Sequence, residues 1–197
     1  MNLNSTIVLI SLLAIPAVTS AQHGAGGQPA IRSVPPAASQ YNFLVGQWEL
    51  DVRPLVTGLA KIHGTPKFIG TWKAWRALDG WGIEDEMKIS DGSGNPRTFT
   101  HSVRVYDATA QSWTVNALDV YKQKFASATA KWSGREMNQS ASGTDAEGKA
   151  YMSRTRVYDI TPNSFKWQQD RSSDGGRTWT EGTLRIAAKR VSATAPR

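Results

Sequence analysis

Cysteine is absent from the 197 residues of this chain, so no disulfide bond can hold its fold. Histidine is scarce, with three copies, and no His-x-His or His-Glu pattern of a metal site accompanies them. The nucleophile elbow, the phosphate-binding loop and the dinucleotide fingerprint are missing as well. Stability must come from apolar burial and backbone pairing, and the sequence predicts no metal, no cofactor and no established catalytic motif.

Long runs of a single charge are also missing. The formal net charge is +7, and the Lys and Arg residues are spread along the chain. This spacing argues against a dedicated nucleic-acid tail, so we expect no nucleic-acid partner. Weak attraction to anionic ligands or lipid head groups is one reading of the charge, and a merely soluble basic surface is the other.

The first residues, MNLNSTIVLISLLAIPAVTSAQ, are typical of a secretory signal peptide. Their apolar run, residues 7–18, is shorter than the roughly 20 residues that span a bilayer. Thr19 and Ala21 would place small residues before a cleavage site after Ala21, although no Lys or Arg precedes the apolar run. We expect residues 1–21 to be removed, leaving a periplasmic or secreted protein with no transmembrane segment in the mature chain.

Three segments are expected after the signal peptide. Residues 22–40 are rich in Gly, Ala and Pro without apolar periodicity, which predicts a flexible spacer. Residues 41–190 form one domain, and residues 191–197 form a C-terminal tail. Within the domain, the segment from Pro54 to Pro66 could hold a short helix or lid.

Apolar and polar residues alternate through most of the domain, the pattern of half-buried β-strands. Gly-, Asn- and Asp-rich turn sequences separate the strands. The predicted strands are 44–53, 67–78, 81–90, 97–107, 112–120, 124–133, 135–142, 149–159, 164–171 and 177–189. About ten strands joined by short turns favour an all-β fold, a single antiparallel up-and-down barrel, because closure removes the exposed edges. A two-sheet sandwich is the alternative.

The sequence also contains an internal repeat. RVYDATAQS at residues 104–112 matches RVYDITPNS at residues 156–164, with Arg, Val, Tyr, Asp, Thr and Ser at the same offsets. Each copy runs from a strand into a turn, where its Asp can cap backbone amides. The two copies therefore suggest two hairpins in comparable places.

The first strand begins with FLVGQW at residues 43–48, and its Gly46-x-Trp48 pair resembles the opening signature of lipocalin and calycin barrels. Together with R-x-Y-D at residues 104–107 and S-x-D-G-G-x-T-W at residues 172–179, it resembles a largely uncharacterised group of exported bacterial lipocalin-like proteins. In such barrels the first-strand Trp often lies under an Arg of the last strand. The resemblance thus implies that Arg185 or Arg190 stacks on Trp48.

Two further resemblances lead to negative expectations. The SSDGGRTW segment resembles the Asp-box of sialidase-type propellers, but a propeller repeats it in each blade and this chain has one copy. We interpret it as a turn that sets the register of the last hairpin. Heme-binding nitrobindin-like barrels share the FLxGxW start, yet they should have a His near the C-terminus, whereas the last His of this chain is His101.

Aromatic and arginine residues give the main indication of a ligand. Eight Trp is a high number for this length, and barrels of this size can enclose a cavity with aromatic walls. The predicted ligand-binding residues are Trp72, Trp75, His101, Arg104, Trp113, Arg154, Arg156, Tyr158 and Trp167.

The direction of the arginines decides what the cavity would bind. Alternation places Arg104 on one face of its strand with Tyr106, and Arg154 and Arg156 on one face with Tyr158. If these faces point inward, the cavity favours an amphipathic anion such as a fatty acid or an aromatic acid. If the intervening Val and Thr residues face the core, the arginines face solvent.

Acidic and histidine side chains give weaker indications. Glu84 and Glu86 point to one side of their strand as solvent-facing charges, and Asp85 points to the other. His101 is explained by a core or rim position, or by contact with a ligand.

Three functions remain open. The first is an exported lipocalin-like barrel that binds a small hydrophobic or amphipathic molecule, anionic ligands included. The second is a lipocalin-fold isomerase, cyclase or hydrolase that uses His101 with Arg104 or Arg156. The third is an envelope interaction module without a pocket. The sequence does not indicate an oligomeric state.

Overall fold

The computed structural model describes residues 33–194 except Ala146, and only the backbone of residues 59, 60 and 63. The predicted signal peptide, most of the predicted spacer and the end of the predicted tail lie outside the described residues. In the part of the chain that is described, no helix is long and apolar enough to cross a membrane.

Ten antiparallel strands form a closed barrel in which each strand pairs with the next and the last returns to the first. This up-and-down order confirms the predicted fold class and excludes a two-sheet sandwich. The strands are β1 Gly46–Pro54, β2 Phe68–Ala77, β3 Gly82–Asp91, β4 Pro96–Asp107, β5 Ser112–Asp119, β6 Lys124–Trp132, β7 Met137–Thr144, β8 Ala150–Tyr158, β9 Ser164–Ser172 and β10 Thr180–Ser192.

Short 3-10 turns are the helical elements of the described chain. They span Pro36–Ser39, Asn42–Leu44, Gly58–His63 and Leu78–Gly80. The third lies in the segment that the sequence left open to a short helix or lid. β10 begins three residues later than predicted, because residues 177–179 belong to the preceding turn.

Alternate side chains of each strand point into the barrel. On β1, Trp48, Leu50 and Val52 are buried while the intervening Glu49 and Asp51 point outward. At the end of the barrel where β1 begins, the Trp48 ring contacts Phe165 at 4.7 Å between ring centres. That end of the barrel is therefore packed solid with aromatic side chains.

An arginine of β10 closes the same end. The Arg190 guanidinium lies 3.9 Å from the centre of the Trp48 ring. It also donates to the carbonyl oxygens of Phe43 and Val45 at 2.9 and 2.6 Å. Of the two arginines that the resemblance suggested, Arg190 takes this position, and Arg185 is exposed on the outer face.

The chain before β1 packs against this closed end. The buried members of the segment are Ala38, Tyr41 and Leu44. The Gln40 side-chain oxygen accepts a hydrogen bond from the Trp113 indole at 3.0 Å. Ala38 and Gln40, which fall within the predicted spacer, therefore pack against the aromatic end of the barrel.

The two RVYD copies present opposite faces, contrary to the comparable places expected from the repeat. Tyr106 pairs with Trp113, the residue directly after the Ser of its copy, whereas Tyr158 pairs with Lys166, two residues after the Ser. A register difference of one residue exchanges the faces of a strand. Arg104 is therefore buried inside the barrel, and the Arg156 side chain is 47% exposed on the outside.

The SSDGGRTW segment forms the turn between β9 and β10. The Ser172 hydroxyl accepts from the Gly176 amide at 2.9 Å, and the Asp174 carboxylate accepts from the Thr178 amide and hydroxyl at 2.9 and 2.7 Å. The Trp179 indole donates to the Gly176 carbonyl at 3.0 Å. These bonds support the interpretation of the motif as a turn that aligns the last two strands.

Candidate functional site

A cavity of about 290 Å³ lies inside the barrel. Tyr41, Phe43 and Leu44 line it at the closed end, and the strands provide its walls. The strand residues that line it are Trp72, Asp85, Met87, Thr100, Ser102, Arg104, Val115, Ala117, Met137, Gln139, Val157, Trp167, Gln169 and Leu184. Its volume is at the small end of ligand pockets, which span roughly 300–1,000 Å³.

A buried ion pair forms the polar part of the wall. Arg104 on β4 donates through Nε to Asp85 of β3 at 2.6 Å, and Trp72 of β2 donates its indole N–H to the other carboxylate oxygen at 2.8 Å. Asp85 is 1% exposed and Arg104 is 7% exposed. Three adjacent strands therefore bring a carboxylate, a guanidinium and an indole together on the inner face.

Tyr41 packs against this pair from the segment before β1. The Arg104 guanidinium carbon is 5.0 Å from the centre of the Tyr41 ring. Burial raises the pKa of the Tyr41 hydroxyl, and the neighbouring Arg104 charge offsets part of that rise. Tyr41 is therefore neutral at physiological pH.

The environment of Arg104 keeps its side chain charged. Burial alone would lower the pKa of Arg104, but attraction to Asp85 and interaction with Tyr41 outweigh it, so the pKa lies above its ordinary value. Arg104 therefore keeps its proton while it is enclosed in the barrel.

The remaining walls of the cavity are mainly apolar. Val115 and Ala117 of β5, Met137 of β7 and Val157 of β8 all line the interior. Gln139 and Gln169 add two side-chain amides on β7 and β9. Such a combination of apolar surface with a few polar groups is typical of a small-molecule site.

The residues predicted from sequence divide between the two faces of the barrel. Trp72, Arg104 and Trp167 line the cavity. Trp113 is fully buried beside it, where its ring packs edge-on against Tyr41 at 4.8 Å. Part of the set predicted from the sequence therefore lies together around one interior cavity.

The remaining predicted residues lie on the outer face, so the expectation that they share the cavity needs correction. Arg154 pairs with Asp170 at 2.8 Å and stacks on Trp179, and Arg156 pairs with Glu136 at 3.7 Å. Tyr158 lies outside as well, under the Arg156 guanidinium. The reason is strand alternation, since Thr155 and Val157 occupy the inward positions of β8.

His101 and Trp75 also point away from the cavity. The two His101 ring nitrogens lie 3.9 and 3.7 Å from carboxylate oxygens of Glu84 and Glu86 on the outer face of β3. The centres of the Trp75 and His101 rings are 6.0 Å apart. The His101 side chain points to the opposite face of β4 from that of its neighbour Ser102, which faces the interior. Glu84 and Glu86 are partly exposed, as the alternation predicted.

Asp85 and Tyr41, which contact Arg104 in the buried polar cluster, are not among the residues predicted from the sequence. Alternation places Asp85 on the opposite face from Glu84 and Glu86, in line with Ile83 and Met87, but it does not identify the residue that pairs with Asp85. The alternation of Asp85 with these apolar residues was the available signal. Tyr41 was missed because it precedes the first strand, where no periodicity reports its direction.

Two larger hollows lie on the outer surface. One, of about 780 Å³, follows the outer faces of β10, β1, β2 and β3 and includes Asp51 and Lys67. The other, of about 840 Å³, lies at the β6–β7 turn and includes Arg156 and Tyr158. Charged side chains with solvent access line both, so neither removes an apolar molecule from water as the interior does.

Comparisons with known proteins do not assign a family. No family model matches the chain, and no curated protein sequence matches it. Among solved structures, the chain is similar to the S-type phycobiliprotein lyase from Guillardia theta, with 8% identity, coverage of 77% of this chain and 90% of that chain, and a TM-score of 0.43. We draw no conclusion from a similarity of this degree. Within the described residues, no group of three or more His, Cys, Asp and Glu side chains could hold a metal ion.

Proposed function

We propose that this protein is an exported lipocalin-like barrel that binds a small, mostly apolar or amphipathic molecule in its interior. The observation that supports the proposal is the 290 Å³ cavity, with apolar walls and one buried polar cluster. Export rests on the signal-peptide pattern of residues 1–21. Aromatic side chains fill one end of the barrel, and smaller side chains lie further along it. This arrangement would limit how far the ligand enters.

The other two functions have less support. The enzyme hypothesis relied on His101 as a general base in the cavity, and its ring contacts Glu84 and Glu86 on the outer face instead. The interaction module is a barrel without a pocket, and the interior cavity argues against it.

A cavity-filling variant tests the proposal. Ala117 lines the cavity on β5, and Thr114 on the same strand is exposed outside. We expect 1-naphthol or 1-decanol to bind the purified protein with a Kd on the order of 10–100 µM by isothermal titration calorimetry. Ala117→Phe should weaken that binding about tenfold or more because the added ring occupies the ligand volume.

Thr114→Phe is the matched control and should leave the affinity unchanged. Circular dichroism and thermal unfolding establish that both variants are folded. If folded Ala117→Phe bound these alcohols as tightly as the unchanged protein, or if neither alcohol bound at all, the cavity would not be the binding site.

A further inference from the structure

The charges that line the cavity cancel. Asp85 and Arg104 are the charged side chains among the lining residues, and they contact each other at 2.6 Å. Tyr41, the other ionisable group of the lining, has a raised pKa and stays neutral. The interior therefore contains polar groups but has no net charge.

This neutrality works against a carboxylate ligand. An ionised ligand loses its hydration on entering the barrel, and this loss is costly without a free counter-charge. Arg104 already has a counter-ion in Asp85, so an incoming anion would approach Arg104 and Asp85 together. In a low-dielectric interior the repulsion from Asp85 offsets much of the attraction to Arg104.

The same pair keeps hydrogen-bonding capacity for an uncharged group. A carboxylate has about four acceptor positions, and Arg104 and Trp72 donate the side-chain hydrogen bonds to Asp85. A guanidinium has five N–H donors; Arg104 gives its Nε–H to Asp85 and also hydrogen-bonds Tyr41, which leaves further N–H donors for a ligand. Ser102, directly opposite Asp85 in the β3–β4 register, adds a hydroxyl to the same wall.

We propose that the Asp85–Arg104 pair selects ligands whose polar end is uncharged and presents an acceptor beside a donor, as a carboxamide or a lactam does, over ligands that end in a carboxylate. The ligand carbonyl accepts from Arg104, and the ligand N–H donates to Asp85. This inference rests on the proposed function, because it names the chemical class of ligand for the same cavity.

Matched probes on one aromatic body test the selectivity. We expect 1-naphthamide to bind the purified protein about tenfold or more tightly than 1-naphthoate near neutral pH, by isothermal titration calorimetry. Equal affinity, or tighter binding of 1-naphthoate, would overturn the inference, and 1-naphthol binding in the same series would leave the proposed function standing. Failure of all three probes and of 1-decanol would overturn both proposals.

Changes to the ion pair test its role directly. Asp85→Asn leaves the Arg104 charge without a counter-ion, so the preference should shift toward 1-naphthoate by about tenfold or more. Asp170→Asn is the matched control, since Asp170 is also a buried partner of an arginine, Arg154, but lies outside the cavity. Its ratio of amide to carboxylate affinity should equal that of the unchanged protein.

A second variant covers the case in which Asp85→Asn does not fold, because an uncompensated buried charge is strongly destabilising. The double change Asp85→Asn with Arg104→Met removes both charges and keeps an acceptor for the Trp72 indole. Thermal unfolding should show that it folds, and it should lose most of the preference for 1-naphthamide over 1-naphthoate. Retention of the full preference in this variant would assign the selectivity to other residues and overturn the inference.

Discussion

Single side chains fix the turns of this barrel even where they are exposed to solvent. In the β9–β10 turn, the Asp174 carboxylate accepts from the Thr178 amide and hydroxyl, and also from the Ser172 hydroxyl. In the β3–β4 turn, Asp91 accepts from Asn95 and from Arg97. Hydrogen bonds to the charged form lower a carboxyl pKa, so both turns depend on ionised carboxylates.

Because of these two carboxylates, we expect the stability of the protein to depend on pH in the acidic range. The pKa of Asp174 is lowered to about 2 by its bonds from Thr178, and that of Asp91 to about 2 by its bonds from Asn95, against an ordinary value of 3.8. Because the folded values lie below the unfolded ones, their stabilisation is complete above about pH 4 and is lost as the pH falls through about 2. Urea unfolding at a series of pH values should show the free energy of unfolding falling across this window.

The double variant Asp91→Asn with Asp174→Asn isolates the effect. It should be less stable than the unchanged protein near neutral pH and should lose less stability on acidification. An equal loss in both proteins would show that other groups cause the acid sensitivity.

Substitution of Arg190 should have a large effect on stability. Its guanidinium stacks on Trp48 and bonds to the carbonyls of Phe43 and Val45. Arg190→Met should therefore lower the free energy of unfolding by about 2–3 kcal/mol, measured by urea unfolding. Arg190→Lys should recover a small part, because an ammonium cannot reproduce the planar contacts.

Arg185→Met is the control for this change, since Arg185 is an exposed arginine on the same strand. Its effect should stay within about 0.5 kcal/mol. Similar losses from the two Met variants would contradict a special role for Arg190 in closing the barrel.

The elements of this barrel differ in how they are stabilised. The ten strands support one another through backbone pairing around the full circle. The described residues before β1, 33–45, pair with no strand and depend on their side chains, with Tyr41 packed on Trp113 and Leu44 buried. The attachment of this segment should therefore be sensitive to single truncations.

Tyr41→Ala tests that attachment. Tyr41 is almost completely buried, so its truncation should lower the free energy of unfolding by about 3 kcal/mol, as for other large buried aromatic residues. Tyr121→Ala, at a half-exposed Tyr of the β5–β6 turn, should cost less than about 1 kcal/mol in the same urea experiment. Equal costs would mean that the segment does not pack on the barrel.

The sequence predicted all ten strands because alternation and turn residues are local signals. The inward face could not be read in the same way for every strand. On β4 the polar Arg104 points inward because Asp85, on the neighbouring strand, provides its counter-ion. On β8 the similar RVYD sequence turns Val157 inward and leaves Arg156 outside beside Glu136. These directions depend on partners that are distant in sequence, so local periodicity left them undecided.

The same limitation applies to the candidate site, because only part of it could be predicted from local sequence. Trp72, Arg104 and Trp167 were predicted because aromatic and cationic residues stand out on strands, and they line the cavity. Alternation separates Asp85 from Glu84 and Glu86, but its pairing with Arg104 across the β3–β4 hairpin is visible only when the register is known. The predicted ligand-binding set also contains outward residues such as His101, because their residue type is common in binding and catalytic sites.

For the whole molecule, the cavity results from the distribution of side-chain size along the barrel axis. Large rings of Trp48, Phe165 and Trp113 fill the closed end. Further along, Ser102 and Ala117 sit opposite each other on β4 and β5, and these small inward residues leave space between the walls. A closed sheet cannot collapse around missing volume as easily as a loop can, so the space persists.

We expect an apolar molecule to enter this space, and the methionine methyl groups report on its binding directly. Met87 and Met137 line the cavity, and Met152 lies on the outer face of β8. In protein labelled with carbon-13 at the Met methyl groups, titration with 1-naphthol should shift the Met87 and Met137 signals and leave Met152 in place. Shifts at Met152 with none at Met87 and Met137 would contradict the central claim that the barrel binds its ligand in the interior.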